Sequence, residues 1–179
     1  MTFLIISVVI ISIIGTISHF TYDMSNHNKV VGLFSAVNES TWEHIKIALT
    51  PTLLWGLIDG LIYGESANYF LAKLVSLVII IILMPALFYG YKALLKKEIF
   101  IFDILIFYIV IICSQLIFCR IIKMDDIQYI YRYLSCIGVF LVFGGYMIHT
   151  LLPAKSFIFK DPISNKYGFK GHTELDDKK

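Results

Sequence analysis

Charge is scarce in this sequence. Only 16% of its 179 residues are Asp, Glu, Lys or Arg and 58% are hydrophobic, against a globular norm of about 25% charged. That scarcity excludes disordered tails, which combine high net charge with few apolar residues, and ordinary soluble enzymes. Cysteine is nearly absent: Cys113, Cys119 and Cys136 form no CxxC pair. An odd count inside or beside apolar runs excludes a disulfide-stapled scaffold and reads as free, buried thiols. Neither sign of charge dominates. Fifteen Lys and Arg against thirteen Asp and Glu leave +2, too balanced for a nucleic-acid partner. Internal repeats, low-complexity segments and an HExxH or compact HxxxH motif are also missing.

What is present is apolar sequence in long runs. A hydrocarbon core of about 30 Å needs about 20 apolar residues as a helix. Five stretches qualify: Thr2 to Ser18, Ser40 to Tyr63, Ala67 to Tyr91, Ile99 to Ile122 and Ile127 to Leu152. The first lacks the basic flank and small-residue cleavage site of a signal peptide. The second is the weakest by hydropathy, because it carries Pro51 and Asp59. The expected fold is an all-α integral membrane bundle of about five transmembrane helices over residues 1–154, followed by a polar cytoplasmic tail over 155–179. Between the first two helices, Phe20 to Val37 is too polar to span. Its second half, Val30 to Val37, either dips back as a re-entrant turn or lies exposed with a few apolar anchors.

Cationic residues orient the chain. With the N-terminus outside, the inner segments hold eleven Lys, from Lys29 and Lys46 to the tail, and the outer ones hold Lys73, Arg120, Lys123 and Arg132. The excess of inner cations favours N-out and C-in in a cell membrane. This threading sorts the polar residues into two tiers. The inner tier, at the cytoplasmic leaflet, brings His19, Glu39, Glu43, His44, Asp103 and His149 to one depth. The outer tier contains Asp59, Lys73 and Arg132. Charges at membrane depth cost roughly 2.5–3.5 kcal/mol each on insertion scales, so they pair or face a polar cavity. Asp59 is therefore expected to pair with Lys73 or Arg132, with a gate or substrate contact as the other option.

The segment Asn38 to Lys46 is the densest. Ser40 and Glu43 have the S-x-x-E spacing of a capping box, in which Ser40 caps the helix and Glu43 folds back to its amide. Trp42 then belongs in the interfacial aromatic belt, with Lys46 snorkelling outward. Capping does not account for Asn38, Glu39 or His44. Imidazole and carboxylate together suit a divalent metal, zinc first, or a proton relay. His19, His44 and His149 are the candidate ligands, and Glu39 and Glu43 the candidate ligand or general base. Asp23, Asn38, Ser40, Lys46 and Asp103 are supporting polar groups.

These residues also carry a resemblance. The run His19-Phe20-Thr21-Tyr22-Asp23-Met24-Ser25, then Val31-Gly32-Leu33-Phe34, then Val37-Asn38-Glu39-Ser40-Thr41-Trp42-Glu43-His44-Ile45-Lys46 with Pro51, resembles a family of small integral membrane proteins of unknown function, found mainly in clostridia and related Firmicutes. Asp161-Pro162 with Tyr167-Gly168 is similar to that family's closing D-P-x-x-x-x-Y-G segment. The motifs cover about a third of the chain. Asp23 departs from the pattern, which favours Glu there. The resemblance implies a multi-pass membrane location and no particular activity.

Three functions follow from this reading. A polar site at the cytoplasmic leaflet can hold a metal ion or lipid headgroup, with a bound water activated for hydrolysis. The two tiers can instead mark a small transporter or channel, which at this size would act as an oligomer. Or the chain is a non-catalytic subunit that contacts membrane lipids and a membrane protein partner, its basic tail on anionic lipid.

Overall fold

A computed structural model describes residues 1–172, all-helical in its regular elements. Five long helices, each long and apolar enough to cross a membrane, form the bundle: α1 (Thr2–Met24), α3 (Thr41–Tyr63), α4 (Tyr69–Leu95), α5 (Phe100–Ile121) and α6 (Tyr129–Leu151). A one-turn helix, α2 (Lys29–Gly32), lies in the first connector, capped by the Asn28 side chain, which accepts from the Val30 amide at 2.9 Å. Among the described residues there is no strand, only a single bridge between Lys160 and Tyr167.

Large apolar side chains cover the outside of the bundle. Leu57, Leu61, Phe140 and Leu141 are among the most exposed, an arrangement suited to lipid and costly in water. Inside, α4 packs on α5, α6 and α3, while α1 packs on α3 and α5. The expected spans are recovered, with two extensions, the shorter of which carries α4 on from Tyr91 to Leu95. The helix of α1 runs on through the polar residues His19 to Met24, so His19 and Asp23, four apart, share a face.

The α1–α3 contact shows how a breaker residue builds the bundle. Pro51 lies inside α3 and has no amide to donate, which frees the carbonyl of Ile47 four residues earlier. Gly15 of α1 comes so close that a Cβ there would stand 2.7 Å from that oxygen and 2.6 Å from Phe107 Cζ of α5. Small residues permit such approach between membrane helices, and the Cα–H groups can face the unpaired oxygen. The ring of Phe107 can turn aside; the backbone oxygen cannot. Gly15→Val is expected to cost about 1–3 kcal/mol by overpacking, read as a lowered midpoint in SDS-induced unfolding. An unchanged midpoint would contradict this packing.

The first connector returns into the protein after α2. Ser35, Ala36, Val37 and Asn38 are all buried, so it is an inserted segment rather than an exposed loop. The chain after α6 also packs back. Residues 155–172 form two 3-10 turns, Phe157–Phe159 and Gly168–Gly171, that dock on the start of α3 and the end of α1. The rest of the expected tail, from Thr173 to Lys179, lies outside the described residues.

Candidate functional site

Polar residues gather where α1 ends, α3 begins and the C-terminal segment returns. The two strings that carry the family resemblance, more than a hundred residues apart, meet there. Asn38 donates from Nδ2 to the Gly168 carbonyl at 2.8 Å, and the Glu39 amide donates to Asp161 Oδ1 at 2.9 Å. Asp161 is buried, and its other oxygen accepts from the Ser164 hydroxyl at 2.7 Å. One carboxylate thus closes its own turn and fixes the backbone of Glu39. Gly168 adopts φ +54, and a Cβ there would meet the Thr150 carbonyl at 3.2 Å, so this position needs glycine.

Held this way, the Glu39 carboxylate lies between two imidazoles. His19 Nε2 is 3.7 Å from its Oε1 and His44 Nε2 is 3.7 Å from its Oε2. The rings are 5.6 Å apart. His44 Nδ1 donates to the Ser40 carbonyl at 3.0 Å. Because a carbonyl only accepts, the proton of a neutral His44 sits on Nδ1, and the Nε2 lone pair faces the carboxylate. Two acceptors facing one another at that distance suit a proton or a cation between them. The side chains of Glu39 and His44 are partly open, at 42% and 36% exposure, so the group is accessible. His19 Nδ1 is buried with no partner among the described residues.

A second group adjoins the first along α1. The helix ends with Asn26 at φ 53 and His27 at φ 60, a region where Asn and His are over-represented among non-glycine residues. The His27 amide donates to the Tyr22 carbonyl at 3.1 Å. His27 Nε2 then lies 2.8 Å from His172 Nε2, and Asp23 Oδ1 is 3.1 Å from His172 Nε2 and 3.5 Å from His27 Nε2. The three ligand atoms are all within 4.8 Å of one another. The ring of Tyr22 is the floor: His27, His172 and Phe169 pack on it with centroids 5.2, 5.2 and 5.8 Å away. Gly32 leaves room for Phe169, since a Cβ there would stand 2.6 Å from its ring.

Other residues expected in the inner tier go elsewhere. His149 donates from Nδ1 to the Gly145 carbonyl at 2.7 Å, and its ring stacks on Phe159 at 5.2 Å beside Trp42 at 5.3 Å. Asp103 accepts from the Tyr91 hydroxyl at 2.6 Å. Glu43 is 2% exposed, and its Oε2 accepts from the Val37 amide at 3.1 Å and from Lys46 Nζ at 2.6 Å. The capping box is therefore half formed. Ser40 Oγ accepts from the Glu43 amide at 3.4 Å, but Glu43 does not return to Ser40, whose amide donates to Asn38 Oδ1. Lys46 does not snorkel. It is fully buried and donates also to the Gly32 carbonyl and Thr150 Oγ1. In the outer tier Asp59 pairs with Lys73, while Arg132 donates to the Gly64 carbonyl at 2.9 Å.

Sequence reasoning missed His172 and treated His27 as a loop residue. Their one signal was scarcity: five imidazoles in a chain with so few polar groups, four of which converge here.

The chain belongs to a family of unknown function, DUF6512, whose model matches residues 1–169. No curated protein and no solved structure matches it.

Proposed function

We propose that this member of DUF6512 is a multi-pass membrane protein that binds a divalent transition-metal ion, zinc first, through His19, Glu39 and His44. The observation that carries the reading is the Glu39 carboxylate set between two Nε2 atoms at 3.7 Å each. A contact of that length is too long for a direct hydrogen bond, and holding one ion requires the two imidazoles, which face different oxygens of Glu39, to swing toward a common point. The His44–Ser40 bond supports it, because an imidazole ligand commonly donates its other nitrogen to a carbonyl. With the N-terminus outside, as the cation bias favours, the site opens at the cytoplasmic leaflet of the cell membrane.

Two His and one Glu are also the donor set of hydrolytic zinc sites, which keep a fourth position for water. A metal here would make hydroxide available near neutral pH. The implied activity is hydrolysis of a substrate presented at the membrane surface, such as a lipid headgroup ester. Glu39 serves as a ligand, and Glu43, committed to Lys46, is not the general base.

Metal analysis tests the binding step. Wild-type protein, purified in detergent and equilibrated with zinc, is expected to hold an equivalent that Glu39→Gln and His44→Ala lose. The affinity loss should exceed the roughly 10–100-fold typical of removing an outer-shell partner. His149→Ala should keep that equivalent, because its ring is committed to Phe159. Binding should weaken as pH falls, since protons compete for the imidazoles. Zinc content that is indifferent to Glu39→Gln and His44→Ala would overturn the reading.

A further inference from the structure

We infer that Asp23, His27 and His172 form a second divalent transition-metal site, separate from the Glu39 site, and that the ion bound there latches the C-terminal segment onto the end of α1. Two imidazoles meet where α1 ends. His27 Nε2 and His172 Nε2 are 2.8 Å apart, and at that separation they can share one proton but cannot both carry one. The third group, Asp23 Oδ1, faces both nitrogens at 3.1 and 3.5 Å and only accepts when ionised. Three electron-pair donors therefore converge on one small volume.

Imidazole nitrogen with carboxylate oxygen selects zinc or a neighbouring first-row ion rather than calcium or magnesium. A tetrahedral ion with bonds of about 2.0–2.1 Å places two nitrogen ligands about 3.3 Å apart, so the two rings need part only slightly to admit it. A fourth position is left for water.

The consequence follows from where the ligands come from. Asp23 and His27 end α1, whereas His172 lies 145 residues beyond His27 and closes the second 3-10 turn. A metal bridging them closes a chain loop spanning nearly the whole bundle. The same segment holds Asn38 through the Gly168 carbonyl and the Glu39 amide through Asp161. Occupancy of the latch therefore stabilises the backbone that presents Glu39, which gives the second ion a structural role.

The test uses the full chain in detergent, with zinc stoichiometry measured by elemental analysis and the latch read by trypsin cleavage after Lys160, Lys166 or Lys170. Wild type is expected to hold two equivalents, and His172→Ala and Asp23→Asn to lose one. Asp23→Asn keeps the side-chain shape and guards against a folding artefact. Chelation should speed cleavage of the segment about tenfold or more in wild type and little in His172→Ala. A single equivalent lost on Glu39→Gln but kept in His172→Ala and Asp23→Asn overturns the latch and leaves the Glu39 site standing. A single equivalent lost on His172→Ala but kept in Glu39→Gln does the reverse. Cleavage indifferent to chelation overturns the latch.

Discussion

Glu43→Gln is expected to destabilise the folded bundle by about 3–5 kcal/mol, the range for removing one partner of a buried ion pair. Lys46 Nζ has three donors and three partners: Glu43 Oε2 at 2.6 Å, the Gly32 carbonyl at 2.8 Å and Thr150 Oγ1 at 3.2 Å. Glutamine is nearly the same shape and can still accept from the Val37 amide, so the substitution removes charge and little else. The ammonium is then left in a site from which water is excluded. Three neutral oxygens, that of the glutamine included, do not compensate its charge. The double variant Glu43→Gln/Lys46→Met should recover much of the loss, because an apolar pair of similar volume is often as stable as the ionic one. SDS-induced unfolding of the single and double variants gives the coupling energy. If the two single losses simply add, the pair is not what holds these segments. The same substitution should weaken the zinc binding proposed at Glu39, since Val37 and Gly32 bracket the inserted segment that leads into it.

The spans were legible because hydropathy reports depth along the membrane normal, and length does the rest. Even the weakest, α3, ends at Tyr63 as its apolar run does. Depth alone says nothing about the two directions in the membrane plane. His19, His44 and His149 were expected at one level, but equal level is not contact, and His149 turns to Phe159 instead. The rotation of a helix about its axis follows from packing partners, which one-dimensional pattern does not name. Lys46 shows the same limit. Near a helix end the sequence favours snorkelling, whereas the Glu43 carboxylate, together with the Thr150 hydroxyl and Gly32 carbonyl, keeps the ammonium buried. The meeting of His27 with His172 was further out of reach, since no periodicity links residues so far apart. Glu39 was legible for a different reason: capping accounted for its neighbours and left it over.

Asp59→Asn should carry the other large effect, again about 3–5 kcal/mol, at the opposite end of the bundle. The Asp59–Lys73 pair is buried between α3 and α4. Lys73 Nζ also reaches the Thr52 carbonyl at 3.3 Å and lies 4.9 Å from the centroid of the Phe118 ring, which adds a cation–π contact. Asp59 has the Tyr69 hydroxyl at 2.9 Å from its Oδ1, and asparagine can keep that bond while losing the charge. Arg132 is the contrast. It was an equal candidate to pair with Asp59, but its guanidinium donates to the Gly64 carbonyl. Arg132→Gln should therefore cost about 1.5–3 kcal/mol, as for one hydrogen bond from a charged group. The order Asp59→Asn above Arg132→Gln is the informative result. It is what a closed, mutually satisfied ion pair requires, because its charge balance involves Lys73 alone. The reverse order, or Asp59→Asn leaving stability intact, would mean that the Asp59 carboxylate is not committed to Lys73. It would then be free to act on a solute, as the transport alternative requires.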